Sequence, residues 1–153
     1  MFRLWRASGG ATAVEMAFLL PVFLLFMLGI EEFGRALWLQ TSLQFAVEAA
    51  ARCAAVSPSL CTAPGGSTTD VPAYTASQVF AFTLPSSTFT YTPNATCGAP
   101  SSTGGGAQVE TTSPGYLFRP AVDLSGLVSL VTHVSGGTNP LSNIRLNAKS
   151  CHP

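Results

Sequence analysis

The feature that most constrains this chain is a continuous apolar stretch from Ala11 to Ile30, in which Glu15 is the one charged residue. Its length matches the roughly 20 residues that an α-helix needs to cross the hydrocarbon core of a membrane. The composition agrees, because 47% of all residues are hydrophobic and 9% are charged, which is too apolar for an ordinary small soluble domain. We therefore predict a transmembrane helix over residues 11–30.

The charges that flank this stretch predict its orientation. Arg3 and Arg6 precede it, whereas Glu31 and Glu32 follow it directly. Because the more basic flank of a membrane helix stays in the cytoplasm, residues 1–10 are expected to form a cytoplasmic leader and the rest to be exported. A cleavable secretory signal peptide is the main alternative, but no small-x-small cleavage motif follows the apolar stretch.

Helical periodicity continues beyond the apolar stretch. Apolar residues recur at spacings of three, four and six, namely at Phe33, Leu37, Leu43, Val47 and Ala50. We expect one helix from Ala11 to about Ala55, about 65 Å long, of which residues 31–55 would form a stalk outside the membrane. Pro21 removes one backbone donor within the membrane part and is expected to kink the helix there.

All cysteines lie on the C-terminal side of the membrane stretch, and none forms a CxxC pair, which argues against a metal site. An even number of cysteines in an exported segment predicts two disulfides in an oxidising compartment. Four cysteines allow three connectivities, and sequence alone leaves all of them open. Among these we choose Cys53 with Cys61 and Cys97 with Cys151.

The remaining residues, 56–153, are rich in Ser, Thr, Gly and Pro and are predicted to form a small exported domain. Asp70 and an early proline precede an expected short helix over residues 73–82. Leu124–Val131 fits a helix or a strand equally well. Alternating side chains predict three short antiparallel strands, at Thr88–Thr92, Ala107–Thr112 and Asn143–Ser150. The expected fold class is α+β: a long transmembrane and stalk helix, then a disulfide-braced domain with a short helix and about three strands.

The charged and titratable residues argue against two classes of function. The net charge is zero and no basic cluster occurs, so a nucleic-acid partner is not expected. His133 and His152 neighbour no Ser, Cys or carboxylate pattern that suggests a catalytic site, and Asp70, Glu110 and Asp123 are the acids of the exported domain. We predict no enzymatic activity, no cofactor and no metal.

Glu15 needs an explanation, because an unpaired carboxylate deep in a membrane helix costs about 3 kcal/mol or more. One alternative is that it lies hydrated at the cytoplasmic interface. The residues before it favour a function instead, since Gly10 is followed by four small or apolar residues and then by Glu15, directly after a short basic leader.

A glycine followed five positions later by a glutamate, at the head of an apolar helix, resembles the prepilin peptidase site of type IV pilin-like proteins. The sequence GATAVEMAFLLP, which starts at Gly10, and the sequence GIEEFGR, which starts at Gly29, are similar to the TadE-like minor pilins of tight-adherence (Flp) systems. The likeness covers about residues 9–56, including the AAAR run that ends at Arg52, and becomes general beyond it. Met16 departs from the family pattern, in which Phe or Tyr is usual.

This resemblance implies cleavage between Gly10 and Ala11 by a membrane-embedded aspartyl prepilin peptidase. The new amino group would become a partner for Glu15, within the chain or in a neighbouring subunit, and Glu15 and Pro21 would serve helix assembly. The implied function is that of a minor pilin in the bacterial inner membrane, with other pilins and the assembly platform as partners. The alternative is an uncleaved, membrane-anchored periplasmic binding module or adhesin.

Overall fold

The computed structural model describes residues 10–66, 69–80, 82–97, 105–123, 125–132 and 143–153. These residues form three α-helices and five strands, joined by two short 3₁₀ turns. The helices are α1 (Gly10–Val56), α2 (Val71–Ser77) and α3 (Ser125–Thr132). The strands are β1 (Phe89–Ala95), β2 (Gly106–Thr111), β3 (Tyr116–Leu117), β4 (Arg145–Leu146) and β5 (Lys149–His152). The α+β class with one long N-terminal helix is confirmed.

The chain divides into two compact units. The first, here called the helix unit, contains the residues up to Gly34 and the segment Arg119–Ser142. The second, the sheet unit, contains Arg35–Phe118 and Asn143–Pro153. This division does not address membrane topology. The boundaries predicted from the sequence therefore stay predictions: 1–10, 11–30, 31–55 and 56–153.

The core of the sheet unit includes one face of the second part of α1. Leu43, Val47 and Ala50, which the periodicity singled out, are fully buried, whereas Leu37 is 53% exposed. Complete burial of a Leu or Val side chain contributes about 1.5–3 kcal/mol. The buried residues of this helix face recur every three or four positions: Ala36, Leu39, Leu43, Ala46, Val47, Ala50, Ala51 and Ala54.

The main sheet of this unit is antiparallel, in the order β1, β2, β5. Phe89 of β1 lies opposite Thr111 of β2, and Val109 of β2 lies opposite Ser150 of β5. Phe89 and Val109 are buried, so the alternation that predicted the first two strands also gives the face that points into the core. A separate two-stranded sheet pairs β3 with β4.

The predicted third strand, Asn143–Ser150, is wrong as a single element. The structure has β4 and β5 there, and Asn147 and Ala148 separate them. The backbone of Ala148 bonds both to the N–H and to the hydroxyl of Thr111, at 2.9 and 3.2 Å. The chain thus pairs with β3 before this point, as β4, and with β2 after it, as β5. Alternation of residue types alone does not reveal this change of partner.

The predicted helix at residues 73–82 begins earlier and ends earlier than expected, because α2 runs from Val71 to Ser77. Asp70 caps its start, since its carboxylate accepts the N–H of Ala73 at 3.1 Å. The N–H of Phe80 donates to the hydroxyl of Ser42 at 2.7 Å instead of to a carbonyl of its own helix. This tertiary bond explains why the helix does not continue.

The ambiguous stretch Leu124–Val131 contains a helix, because α3 runs from Ser125 to Thr132. The carboxylate of Asp123 accepts the N–H of Ser125 at 2.9 Å, which satisfies one of the open donors at the helix start. His133 lies outside the described residues.

Candidate processing and assembly site

Gly10 is the first residue of α1 and is exposed. A Cβ atom built on Gly10 would meet nothing within 4 Å among the described residues. Neither packing nor a close backbone approach within the described chain therefore requires glycine at this position. If glycine is needed here, the need arises from another molecule that approaches the backbone.

Glu15 is exposed on the first part of α1, five positions after Gly10. Within the described residues its carboxylate has no hydrogen-bond or ion-pair partner. Since an unpaired carboxylate is costly at membrane depth, Glu15 is available for a cationic partner that the described residues do not supply. Ala11 lies within the same helix, four positions before Glu15.

The surface of α1 around this site is apolar on almost every side. Large apolar residues are exposed from Val14 to Ile30, with Phe18 at 77% and Phe26 at 67%. A helix that is apolar around its circumference is typical of a membrane span and not of a surface helix of a soluble domain. Within the described residues, α1 is the one helix long and apolar enough to cross a membrane.

Pro21 lies inside α1, and the helix continues through it without a break. Most described side chains from Thr12 to Ile30 are exposed. The half-buried positions in this stretch are Pro21 and the residues four, seven and eight positions after it. They share one face of the helix: Pro21, Leu25, Leu28 and Gly29.

Glu32 lies on this same face and is 1% exposed. One oxygen, Oε1, accepts the N–H groups of Ala121 and Val122, at 2.9 and 3.0 Å. Two charge-assisted hydrogen bonds to backbone amides compensate for burial of this carboxylate. From the sequence, Glu32 was interpreted only as a charge that flanks the membrane stretch. The overlooked signal is that Glu32 follows Leu25 by seven positions and Leu28 by four, on the same helix face.

The four cysteines are all paired, Cys53 with Cys61 and Cys97 with Cys151. This is the connectivity chosen from the sequence. The first disulfide joins the last turns of α1 to the loop that follows, eight positions along the chain. The second links residues 54 positions apart and joins β5 to the segment after β1. Both lie in the sheet unit.

The acids of residues 56–153 each bond to another group of the chain. Asp70 and Asp123 accept N–H groups at the starts of α2 and α3, and Glu110 pairs with Lys149 at 3.5 Å. Across the part of the chain that the structure describes, no three His, Cys, Asp or Glu residues are grouped so as to hold a metal ion. His152 is exposed at the end of β5.

The N-terminal part of the chain matches a known protein family. Residues 10–52 match the family model described as TadE-like protein. The segment is TadE-like. The match covers Gly10, Glu15, Pro21 and Glu32 and ends within α1, well before the sheet unit is complete. No curated protein and no solved structure matches the chain.

The match relates residues 10–52 to the TadE-like family of tight-adherence pilus systems, and the apolar helix in this segment is long enough to cross a membrane. The family match does not reach residues 53–153, so nothing beyond the helix rests on it.

Proposed function

We propose that this chain is a minor pilin, or pseudopilin, that a prepilin peptidase processes and that takes part in assembly of a tight-adherence pilus or the related secretion apparatus. The observation that carries the proposal is the arrangement at the start of the TadE-like segment. An exposed Gly10 with free space around it precedes, by five positions, an exposed Glu15 without a partner among the described residues.

The proposed reaction on the chain is hydrolysis of the peptide bond between Gly10 and Ala11, carried out by the peptidase. Cleavage turns the amide nitrogen of Ala11 into an ammonium group. At four positions from Glu15 on one helix, or from a neighbouring subunit, this group becomes the cation that the carboxylate lacks. A carboxylate that is unfavourable in the isolated chain would then favour packing of the processed helices beside each other.

The proposed topology places residues 1–10 in the cytoplasm, residues 11–30 in the inner membrane and the rest in the periplasm. Arg3 and Arg6 on one flank, against Glu31 and Glu32 on the other, support this orientation. Two disulfides in the sheet unit support an oxidising compartment for the residues beyond the membrane. Proposed partners are the prepilin peptidase, other pilins and the assembly platform, and the chain itself catalyses no reaction.

The test is the N-terminal residue of the protein purified from native membranes, read by N-terminal sequencing and intact mass. Ala11 is expected first in the wild type, and Met1 first in a Gly10→Ala variant. Gly29→Ala is the matched control, because a Cβ there also meets nothing within 4 Å of the described residues. Met1 first in the wild type contradicts processing and favours the uncleaved, anchored binding module.

A further inference from the structure

Glu32 fixes the position of one loop along α1. Its Oε1 accepts the N–H groups of Ala121 and Val122, and the side chain is almost completely buried. Glu32 follows Ile30, the last residue of the predicted span, by two positions, or about 3 Å of helix rise. The turn at Ala121 and Val122 is therefore held close to the boundary of the hydrocarbon layer on the exported side.

α3 starts shortly after this turn. Ser125 follows Val122 by three residues, which extend the chain by at most about 10 Å. The carboxylate of Asp123 accepts the N–H of Ser125, the first residue of α3, at 2.9 Å. The sequence of α3, SGLVSLVT, has no charged residue, and half of it is Leu and Val.

The composition of the helix unit is a second observation that favours a position of α3 near the membrane. It joins the membrane part of α1 with the segment that starts at Arg119, so α3 belongs to one compact body with the apolar helix and not to the sheet unit. The partly covered face of the membrane helix, with Leu25, Leu28 and Gly29, is also the face that carries Glu32.

We propose that α3 is a second membrane-contacting element, which lies at the boundary between phospholipid headgroups and acyl chains beside α1, with Glu32 as the residue that positions it. An uncharged helix rich in Leu and Val gains free energy when it buries these residues at that boundary. A helix of this length is not stable alone in water and needs such a surface. The proposal rests on α1 crossing the membrane and is independent of cleavage after Gly10.

Depth-dependent fluorescence quenching tests this proposal in the full chain. Both native tryptophans are replaced, Trp5→Phe and Trp38→Phe, and a single new tryptophan is introduced by Gly126→Trp. Gly126 is exposed in α3, and a Cβ built on it meets nothing within 4 Å among the described residues. Phe26→Trp, in the apolar span, is the positive control, and Thr90→Trp, exposed on β1, is the negative control.

Each variant is reconstituted into phosphatidylcholine and phosphatidylglycerol vesicles whose acyl chains are brominated either near the headgroup or near the chain end. The G126W chain is expected to lose emission with the shallow quencher, and T90W is not. F26W, four positions or about 6 Å inside the span, is expected to be quenched as well. If G126W behaves like T90W while F26W is quenched, α3 does not contact the membrane. If F26W is not quenched either, α1 does not span the bilayer and the proposal fails at its premise.

The role of Glu32 is tested in the G126W chain. Glu32→Gln keeps an oxygen that can accept both backbone N–H groups, so shallow quenching is expected to persist. Glu32→Ala removes the acceptor and is expected to abolish the quenching while the four cysteines stay oxidised, which shows that the sheet unit has folded. Quenching that survives Glu32→Ala overturns the assignment of Glu32 as the positioning residue.

Discussion

Glu15 and Glu32 are carboxylates of one helix that meet opposite environments. Glu32 is buried, and two backbone N–H groups within 3.0 Å compensate for its burial. Glu15 is exposed and has no such compensation among the described residues. If the first part of α1 lies in lipid, Glu32 is satisfied by backbone groups of its own chain, whereas Glu15 requires a cation that the described residues do not provide.

We expect Glu15→Ala to leave the amount of membrane-inserted protein unchanged and to abolish the contribution of the protein to pilus assembly, because the variant lacks the anion that would pair with the new terminus of Ala11. The measurement is surface pilus yield in cells that carry only the variant. Glu48→Ala removes an exposed acid further along the same helix and is expected to assemble normally. Wild-type pilus yield with Glu15→Ala would disprove the proposed pairing.

Gly115 is a position where the sheet unit does require glycine. Its φ of +101° lies outside the region that other residues adopt easily, and a Cβ there would collide with the side-chain oxygen of Asn147. We expect Gly115→Ala to lower the free energy of unfolding by about 1–3 kcal/mol. Urea unfolding in detergent, followed by circular dichroism, measures this. Gly126→Ala in α3 is the control and should be neutral or slightly stabilising, since helical Ala is favoured over Gly by about 1 kcal/mol.

At the scale of elements, α1 protects the edge of β5. Gln40 donates its side-chain N–H to the carbonyl of Asn147 at 2.6 Å, and Gln44 donates to the carbonyl of Lys149 at 3.4 Å. These two amides cover backbone groups that an open sheet edge would offer to another chain. At the opposite edge, Pro93 and a register shift after Thr92 interrupt β1.

We expect Gln40→Ala to accelerate amide hydrogen exchange from Asn147 into the start of β5 and to cost about 0.5–1.5 kcal/mol of local stability, the usual net value of one hydrogen bond. Gln44→Ala should have a smaller effect, because its bond is longer. Gln78→Ala, which removes a half-buried amide without a bond to a strand, is the control. Equal exchange rates in β5 for all three variants would show that the helix does not protect this edge.

The elements that sequence predicts well are those whose signal is local. Apolar residues and helical spacing predicted α1 to within one residue of its end at Val56, and alternation predicted β1 and β2. The break at Asn147 was missed because it depends on which strand pairs with each residue, and pairing is a non-local property. The early end of α2 was missed for a similar reason, since a hydroxyl on α1 takes the N–H of Phe80.

At the scale of the whole molecule, no pattern of residues predicted that the segment from Arg119 belongs with the first part of α1. Within this unit, the Glu32 carboxylate bonds to two backbone amides about 90 positions away, a contact for which no spacing rule exists. The candidate processing site is different, because Gly10 and Glu15 form a short motif that can be recognised without a structure. The family match starts at that same Gly10.

The two disulfides should stabilise the molecule unequally, because the loops they close differ in length. Cys53 and Cys61 are 8 positions apart, whereas Cys97 and Cys151 are 54 apart. In the loop-entropy model these closures contribute about 2.5 and about 4 kcal/mol respectively. Replacing Cys97 and Cys151 by Ser should therefore lower the urea midpoint more than replacing Cys53 and Cys61. Removal of the longer link also releases β5, which pairs with β2 over four residue pairs. The urea midpoint could instead decrease as much or more when Cys53 and Cys61 are replaced. That result would show that strand β5 is held mainly by its hydrogen bonds and by Gln40 and Gln44.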